Sequence, residues 1–351
     1  MRGGIIVLVA ASACGRVGFD SLTHFRKTLT VDHGQVAGEL ADFPVLVELH
    51  DPDLAAHARP DGFDIELFDS SGNPLAYERE LFAAGAFVAW VKVPGLSATT
   101  DTMLELDYGD ATASDHAQPA AVWSNAFTGV YHFGDGTTLS VADSTGVNDG
   151  TNNGAFASSD AIIVGAVGFD NSAGTAFNVT APIAGVDQSA GALTTVSFWV
   201  ELAAFTKGPF AFSSTTNDVY DLWFEENGCE GFNTQGGEVL GMTATIDAGW
   251  HHVVAVFYNG LPDASHNKLY LDGAPQTLTT CVAGIPNPRS PSGLARWGGG
   301  TSAGFNYQMT GALDEGRIAH GERSPAWIQT EVANQRGPTT FVTAGPERAT
   351  P

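Results

Sequence analysis

Residues 250–258 read Trp250-His251-His252-Val253-Val254-Ala255-Val256-Phe257-Tyr258, and residues 268–273 read Lys268-Leu269-Tyr270-Leu271-Asp272-Gly273. The first is a run of β-branched and aromatic side chains. The second is a short strand running into an Asp-Gly hairpin turn. Neighbours in a strand face opposite sides, so His251 and His252 cannot form the paired metal ligands of a helical i, i+4 motif. One is expected to pack inward and the other to meet solvent. Leu193 to Val200 and Val219 to Phe224 fit strands of the same kind, and Asn227-Gly228 between apolar runs signals a two-residue hairpin. Near the end, Ser324-Pro325 predicts a helix over Ala326 to Gln335, with the serine capping free amides and the proline in the first turn.

Upstream the texture is also β. Pro44 to Leu49, Phe63 to Asp69, Phe87 to Pro94 and Thr102 to Gly109 are strand-like, and Phe63-Asp64-Ile65-Glu66-Leu67-Phe68-Asp69 alternates apolar and acidic residues. Ser70-Ser71-Gly72-Asn73-Pro74 is a turn. The regular spacing predicts a compact β-sandwich over 25–110. Residues 111–121 are poor in large apolar side chains and read as a linker, and a second, larger domain spans 122–347. The 351 residues hold 42 glycines and 17 prolines, which suits short strands and turns, so the fold class is all-β. The net charge of −24 excludes nucleic acid as a partner, because binding it requires positive charge to displace counterions.

Ile5 to Ala10 is a short apolar run, too short to span a bilayer, and reads as part of a signal peptide over 1–13. Ala11-Ser12-Ala13-Cys14 resembles a bacterial lipoprotein lipobox, with Ala11 where leucine is usual. The resemblance implies a diacylglycerol on Cys14, a tether over 14–24, and a place in the bacterial cell envelope as an outer-membrane lipoprotein, or otherwise secretion. Membrane contact would then run through the lipid alone. Cys229 and Cys281 remain, an even number in an exported chain. This favours one disulfide over two separate buried thiols.

Three sets of residues resemble a bacterial laminin-G-like module of the concanavalin A-like superfamily. They are Tyr131-His132-Phe133-Gly134 with Asp143 to Gly150, Trp250 to Val256 with Leu269 to Gly273, and Gly311 to Ile318 with Ser324 to Ile328. The upstream segment resembles a bacterial domain of unknown function that precedes such modules, on Phe63 to Leu67, Trp90 to Pro94 and Asp107 to Gly109. The resemblance implies an N-terminal β-sandwich followed by an antiparallel jelly-roll sandwich.

The chemistry legible in these residues is sparse. Asp64 and Glu66 share a strand face roughly 7 Å apart, but the third acid of jelly-roll glucanases is missing at Gly62. Asp221, Glu225 and Glu226 also fail that pattern, and Asp314 and Glu315 are adjacent and point apart. The loop Asp143 to Gly150 is rich in oxygen donors suited to calcium. In similar modules such a loop meets the late Leu-Asp-Glu motif, which implies a calcium ion shared by Asp143, Asn148 and Asp314. The alternative is that these groups cap backbone amides without a metal. Trp297 and Tyr307, beside Gly298 to Gly300 and with Trp223 and Asn306 near, are candidates for stacking on sugar rings. The reading is therefore an envelope protein binding a glycan or a surface protein. A glycan-cleaving enzyme and a purely structural module are the alternatives.

Overall fold

The structure is a computed structural model. It describes residues 24–350 apart from 173, 180–182, 205–207, 214–217, 225–228, 235–236, 244–245, 286, 289–293 and 303–304, and apart from some strand side chains, Tyr307 and Asn306 among them. Cys14 and the Asn227-Gly228 turn lie outside the described residues.

The chain is all-β, built as two sandwiches of antiparallel sheets. In the first, His24–Val31 pairs with Thr102–Tyr108, which pairs with Glu66–Asp69. The facing sheet has Ala86–Leu96 between Leu40–His50 and Tyr77–Ala83. Val45, Val47 and Leu49 alternate inward with Phe87, Ala89, Val91 and Val93 to fill the core between them. In the second sandwich, one sheet is centred on Leu193–Ala204 between Trp250–Tyr258 and Thr310–His320. The opposing sheet runs from Thr279–Val282 to Gly150–Asn153. Phe198, Phe210, Phe212, Phe257 and Trp297 lie in the core between these sheets. Cys229 and Cys281 are joined by a disulfide with Cα atoms 5.9 Å apart, 52 residues apart in sequence. Closing a loop of that length corresponds to about 4 kcal/mol in the chain-entropy description.

The two sandwiches are interwoven. Phe127–Tyr131, just after the first sandwich in sequence, pairs with Thr310–His320 of the second. Conversely, Val342–Ala344 and Arg348–Thr350 return to pair with His24–Val31 of the first. The sequence boundary at 347 is therefore corrected, since the C-terminal strands complete the N-terminal sandwich. Residues 111–121 are also not a free tether. Gln118 N–H donates to Tyr77 O at 2.8 Å, and Arg79 pairs with Asp115 at 2.8 Å.

The burial pattern of Ala86–Leu96 explains the join. Phe87 through Val91 is buried without interruption, because this sheet is covered on both faces. Leu46, Val88 and Trp90 on its outer face pack with Val122, Trp123, Val130 and Ile163. A helix, Pro325–Arg336, wedges into the same seam, with its first amides capped by Ser324 Oγ on Trp327 N–H. Trp327 joins the first core, whereas Ile328 packs on Val254 and Tyr270 of the second sandwich. Asn334 reads the free edge of Leu40–His50 like a neighbouring strand. Its Oδ1 accepts from Leu46 N–H at 2.7 Å, and its Nδ2 donates to Leu46 O at 2.9 Å. This satisfies an edge that would otherwise invite another chain. No helix among the described residues is long and apolar enough to cross a membrane.

The paired histidines divide as strand geometry requires. His251 bridges Asp247 and Asp272 at 2.7 and 2.8 Å. His252 is buried, edge-on to Trp199 with ring centroids 5.0 Å apart. Burial lowers its pKa to about 4, aided by Arg317 and Arg336 and against the pull of Glu331 and Asp272. A histidine that stays neutral in the fold but protonates near its ordinary value when unfolded lowers stability as pH falls. The wild type should lose up to about 3 kcal/mol more than His252→Gln between pH 6.5 and 4. Urea unfolding across that range measures this, and parallel stability curves would contradict the assignment.

Candidate functional site

A cavity of about 330 Å³ opens along the seam, lined by Glu78, Glu80, His132, Gly134, Asp135, Thr138, Ser140, Ala142 and Ser144. Three local irregularities of the backbone converge on it. In Tyr77–Ala83 the pairing with Ala86–Leu96 slips between Arg79 and Leu81, so Glu80 is the extra residue of a β-bulge. The bulge turns both Glu80 and Leu81 toward the seam, where strict alternation would send only one. In Thr310–His320 the register slips opposite Phe198, and Glu315 there takes φ +53°. A Cβ on the neighbouring Gly316 would meet the Phe133 ring at 2.9 Å, so the bulge tolerates no side chain at that point. Finally, His132 leaves the end of Phe127–Tyr131 just before Phe133 at φ +61°. Non-glycine residues rarely occupy this region, which gathers at sites where side chains must be aimed.

These three residues meet. His132 Nδ1 lies 2.7 Å from Glu315 Oε1 and 3.2 Å from Glu80 Oε1. Its Nε2 lies 3.3 Å from Glu78 Oε2. Glu78 also accepts from the Trp123 indole and, at 2.6 Å, from Ser144 Oγ, while the Trp90 indole donates to Glu80. Behind them Arg317 is buried. Its Nη2 bonds Glu315 Oε2 and its Nη1 bonds Glu331 Oε1, both at 2.6 Å. Its guanidinium carbon lies 4.3 Å from the Trp90 ring centre and 4.9 Å from that of Trp123.

The charges follow from this packing. Burial opposes charge on His132, but Glu315, Glu80 and Glu78 together hold its pKa well above the usual histidine value. Burial also opposes ionisation of Glu315, yet His132 and Arg317 hold it below the usual carboxylate value. Glu78 is likewise lowered despite burial, by His132, Ser144 and Trp123. Glu80 goes the other way. Burial, reinforced by Glu315 and Glu78, pushes it up to about 8 against the pull of His132 and Trp90. One cavity thus holds carboxyls with opposed proton affinities around a single imidazole. Such a group can exchange a proton or hold a cation.

The residues singled out from sequence lie elsewhere. Trp297 is fully buried in the second core, 4.6 Å from the Phe210 ring, and cannot stack on a ligand. The glycine beside it serves packing, since a Cβ on Gly298 would lie 2.2 Å from the Phe169 ring. The Tyr307 side chain and Cys14 lie outside the described residues. Asp64 caps the amides of Arg59 and Gly109, and Glu66 pairs with His116, so they form no catalytic pair.

Asp143, Asn148 and Asp314 do not fit a shared calcium ion. Asp143 Oδ1 accepts from the amides of Val130 and Thr145, and Oδ2 from Val147 N–H, Asn148 N–H and Thr145 Oγ1. Asn148 Oδ1 accepts from Ala184 N–H, and its Nδ2 donates to Thr128 O and Ala184 O. Asp314 accepts from the amides of Ile162, Ile163 and Glu315. These oxygens face donors rather than one another, the arrangement of loop caps. Among the described residues, two groups of three His, Cys, Asp or Glu side chains place ligand atoms within 4.8 Å of one another, and neither includes Asp143 or Asp314. They are Glu80–His132–Glu315 and the more exposed Asp32–His33–Asp101.

Comparison with known families agrees with the two-part architecture. Residues 173–329 match the model of the concanavalin A-like lectin/glucanases superfamily, Laminin_G_3. Residues 173–329 are a laminin-G-like module. Residues 61–147 match a domain of unknown function, DUF2341. The Tyr131 to Gly134 motif, which sequence placed in the laminin-G-like module, therefore lies within the upstream family's match. Glu78, Glu80, His132 and Ser144 all fall within that match, whereas Glu315 and Arg317 come from the laminin-G-like module.

Solved structures are similar at low identity. Domain 4 of AbnA, a GH43 extracellular arabinanase from Geobacillus stearothermophilus solved with arabinotriose, is 19% identical at TM-score 0.43, over 59% of this chain and 98% of that domain. A Trypanosoma rangeli sialidase is 13% identical at TM-score 0.45, over 77% of this chain and 44% of the sialidase. The binding domain of botulinum neurotoxin serotype D is 12% identical at TM-score 0.41, over 60% of this chain and 51% of that domain. At these values the likenesses say nothing of a ligand for this chain. No curated protein matches it.

If Asp143 is a cap, calcium and a chelator should give the wild type the same melting temperature. Asp143→Ala should destabilise by about 1–3 kcal/mol in both, because it strands buried amides. A calcium-dependent rise in melting temperature that Asp143→Ala abolishes would restore the metal.

Proposed function

We propose that this chain is an exported protein of the bacterial envelope, held by a lipid on Cys14, whose two sandwiches together bind a neutral oligosaccharide. The observation that carries this reading is the seam cavity. Its volume of about 330 Å³ lies within the range of small-ligand pockets. Its lining offers the hydroxyls of Thr138, Ser140 and Ser144 beside carboxylates and an imidazole. Such groups read sugar hydroxyls, accepting and donating in turn. The acidic lining and the net charge of −24 disfavour anionic sugars. The family of the laminin-G-like module is compatible with this reading, but the cleft supplies the argument, because fold alone does not assign function.

A glycan array probed with the full exported chain, in chelator, tests the proposal. Neutral oligosaccharides should be retained. Ser144→Ala and Thr138→Val should each weaken binding about 2–10-fold, the loss of one hydrogen bond. Absence of binding to every glycan, or binding indifferent to both variants, would overturn it.

A further inference from the structure

We infer that Glu80, His132 and Glu315 form a site for one divalent transition-metal ion, zinc fitting best, at the floor of the seam cavity. The inference concerns the same cleft as the oligosaccharide reading but does not require a sugar to occupy it.

The first ground is donor geometry. His132, Glu80 and Glu315 come from three separate chain segments, and each offers one ligand atom within 4.8 Å of the others. Tetrahedral zinc with arms of about 2.0–2.1 Å places its ligand atoms about 3.3 Å apart. The Nδ1–Glu80 distance of 3.2 Å already matches, and the Nδ1–Glu315 distance of 2.7 Å needs only a small opening. One nitrogen and two oxygens suit zinc or its first-row neighbours. Calcium instead requires six to eight oxygens.

The second ground is the other side of the imidazole. A metal-bound histidine characteristically gives its remaining ring N–H to a carboxylate. Here Nε2 faces Glu78 Oε2 at 3.3 Å, and Glu78 is held by Ser144 and Trp123. That leaves Nδ1 facing two carboxylate oxygens. The Nδ1 N–H serves Glu315 at 2.7 Å and Glu80 Oε1 takes the Trp90 indole N–H instead, whereas a cation would bridge all three atoms. Glu315 is oriented by Arg317 on its other oxygen, Oε2, and Glu80 by the Trp90 indole on the ligand oxygen itself, Oε1.

Two further features fit. Four carboxyl side chains, Glu78, Glu80, Glu315 and Glu331, pair with His132 or Arg317 in a buried place. Glu80 and His132 line the cavity, which has room for a water as fourth ligand. A closed four-residue cage would mark a structural ion, whereas three protein ligands beside a cavity leave a position for exchange.

The test uses the full chain stripped with chelator and then dialysed against zinc or cobalt alone, without glycan. One equivalent of zinc should be retained by elemental analysis. Cobalt should give the intense visible absorption of a tetrahedral ion with a nitrogen ligand. Glu80→Gln and His132→Gln should abolish both signals, and Glu78→Gln should weaken binding about 10–100-fold. Asp101→Asn, in the exposed Asp32–His33–Asp101 group, should leave both unchanged. Substoichiometric zinc with no tetrahedral cobalt spectrum in the wild type would overturn the site whether or not the variants fold. Binding undiminished in both Glu80→Gln and His132→Gln, or lost in Asp101→Asn, would overturn it as well. Loss of metal binding with glycan retention intact, or the reverse, separates this site from the oligosaccharide reading.

Discussion

Arg317 is a cation buried between two β-sandwiches, and the rest of the join is arranged around it. A buried guanidinium without partners is very costly. Its two anionic partners come from different parts of the fold, Glu315 from its own strand and Glu331 from the C-terminal helix. The indole faces of Trp90 and Trp123 supply the third and fourth contacts. Removing one member would leave an uncompensated charge, at a cost of about 3–5 kcal/mol. The helix must therefore return across the seam, and Ala86–Leu96 must be apolar on both faces. The cavity with Glu78, Glu80 and His132 is the solvent-facing side of the same charged cluster.

This constraint makes the molecule one unit out of two family modules. Phe127–Tyr131 is lent to the second sandwich, while Val342–Ala344 and Arg348–Thr350 are lent back to the first. Neither sandwich is complete without sequence from the other side of the chain. The cleft draws its groups from both modules, so neither module by itself contains the site.

Much of the architecture was legible from local signals. Alternating runs and Gly-Asn turns mark the strands, and Ser324-Pro325 marks a helix that begins within one residue of its reading. The uninterrupted run Phe87 to Val91 also carried a signal of burial on both faces, and so of a layer beyond the first sandwich. The cleft was not legible, for a physical reason. Glu80, His132, Glu315 and Arg317 are brought together by two bulges and a left-handed turn, and no spacing in sequence marks them. The oxygen-rich loop at Asp143 misled because a calcium loop and a loop that caps its own amides use the same side chains. They differ only in whether the oxygens face donors. Trp297 misled because the glycine beside it resembles an open approach, when it makes room for the Phe169 ring.

The most direct measurement is equilibrium urea unfolding of the full chain, followed by hydrogen-exchange mass spectrometry on peptides from each sandwich. Strands Leu40–His50 and Trp250–Tyr258 serve as the two reporters. If the buried Arg317 cluster joins the sandwiches into one cooperative unit, both strands should lose protection at the same urea concentration, and Arg317→Met should lower both midpoints together. Separate midpoints in the wild type, with Arg317→Met moving only one of them, would contradict the account.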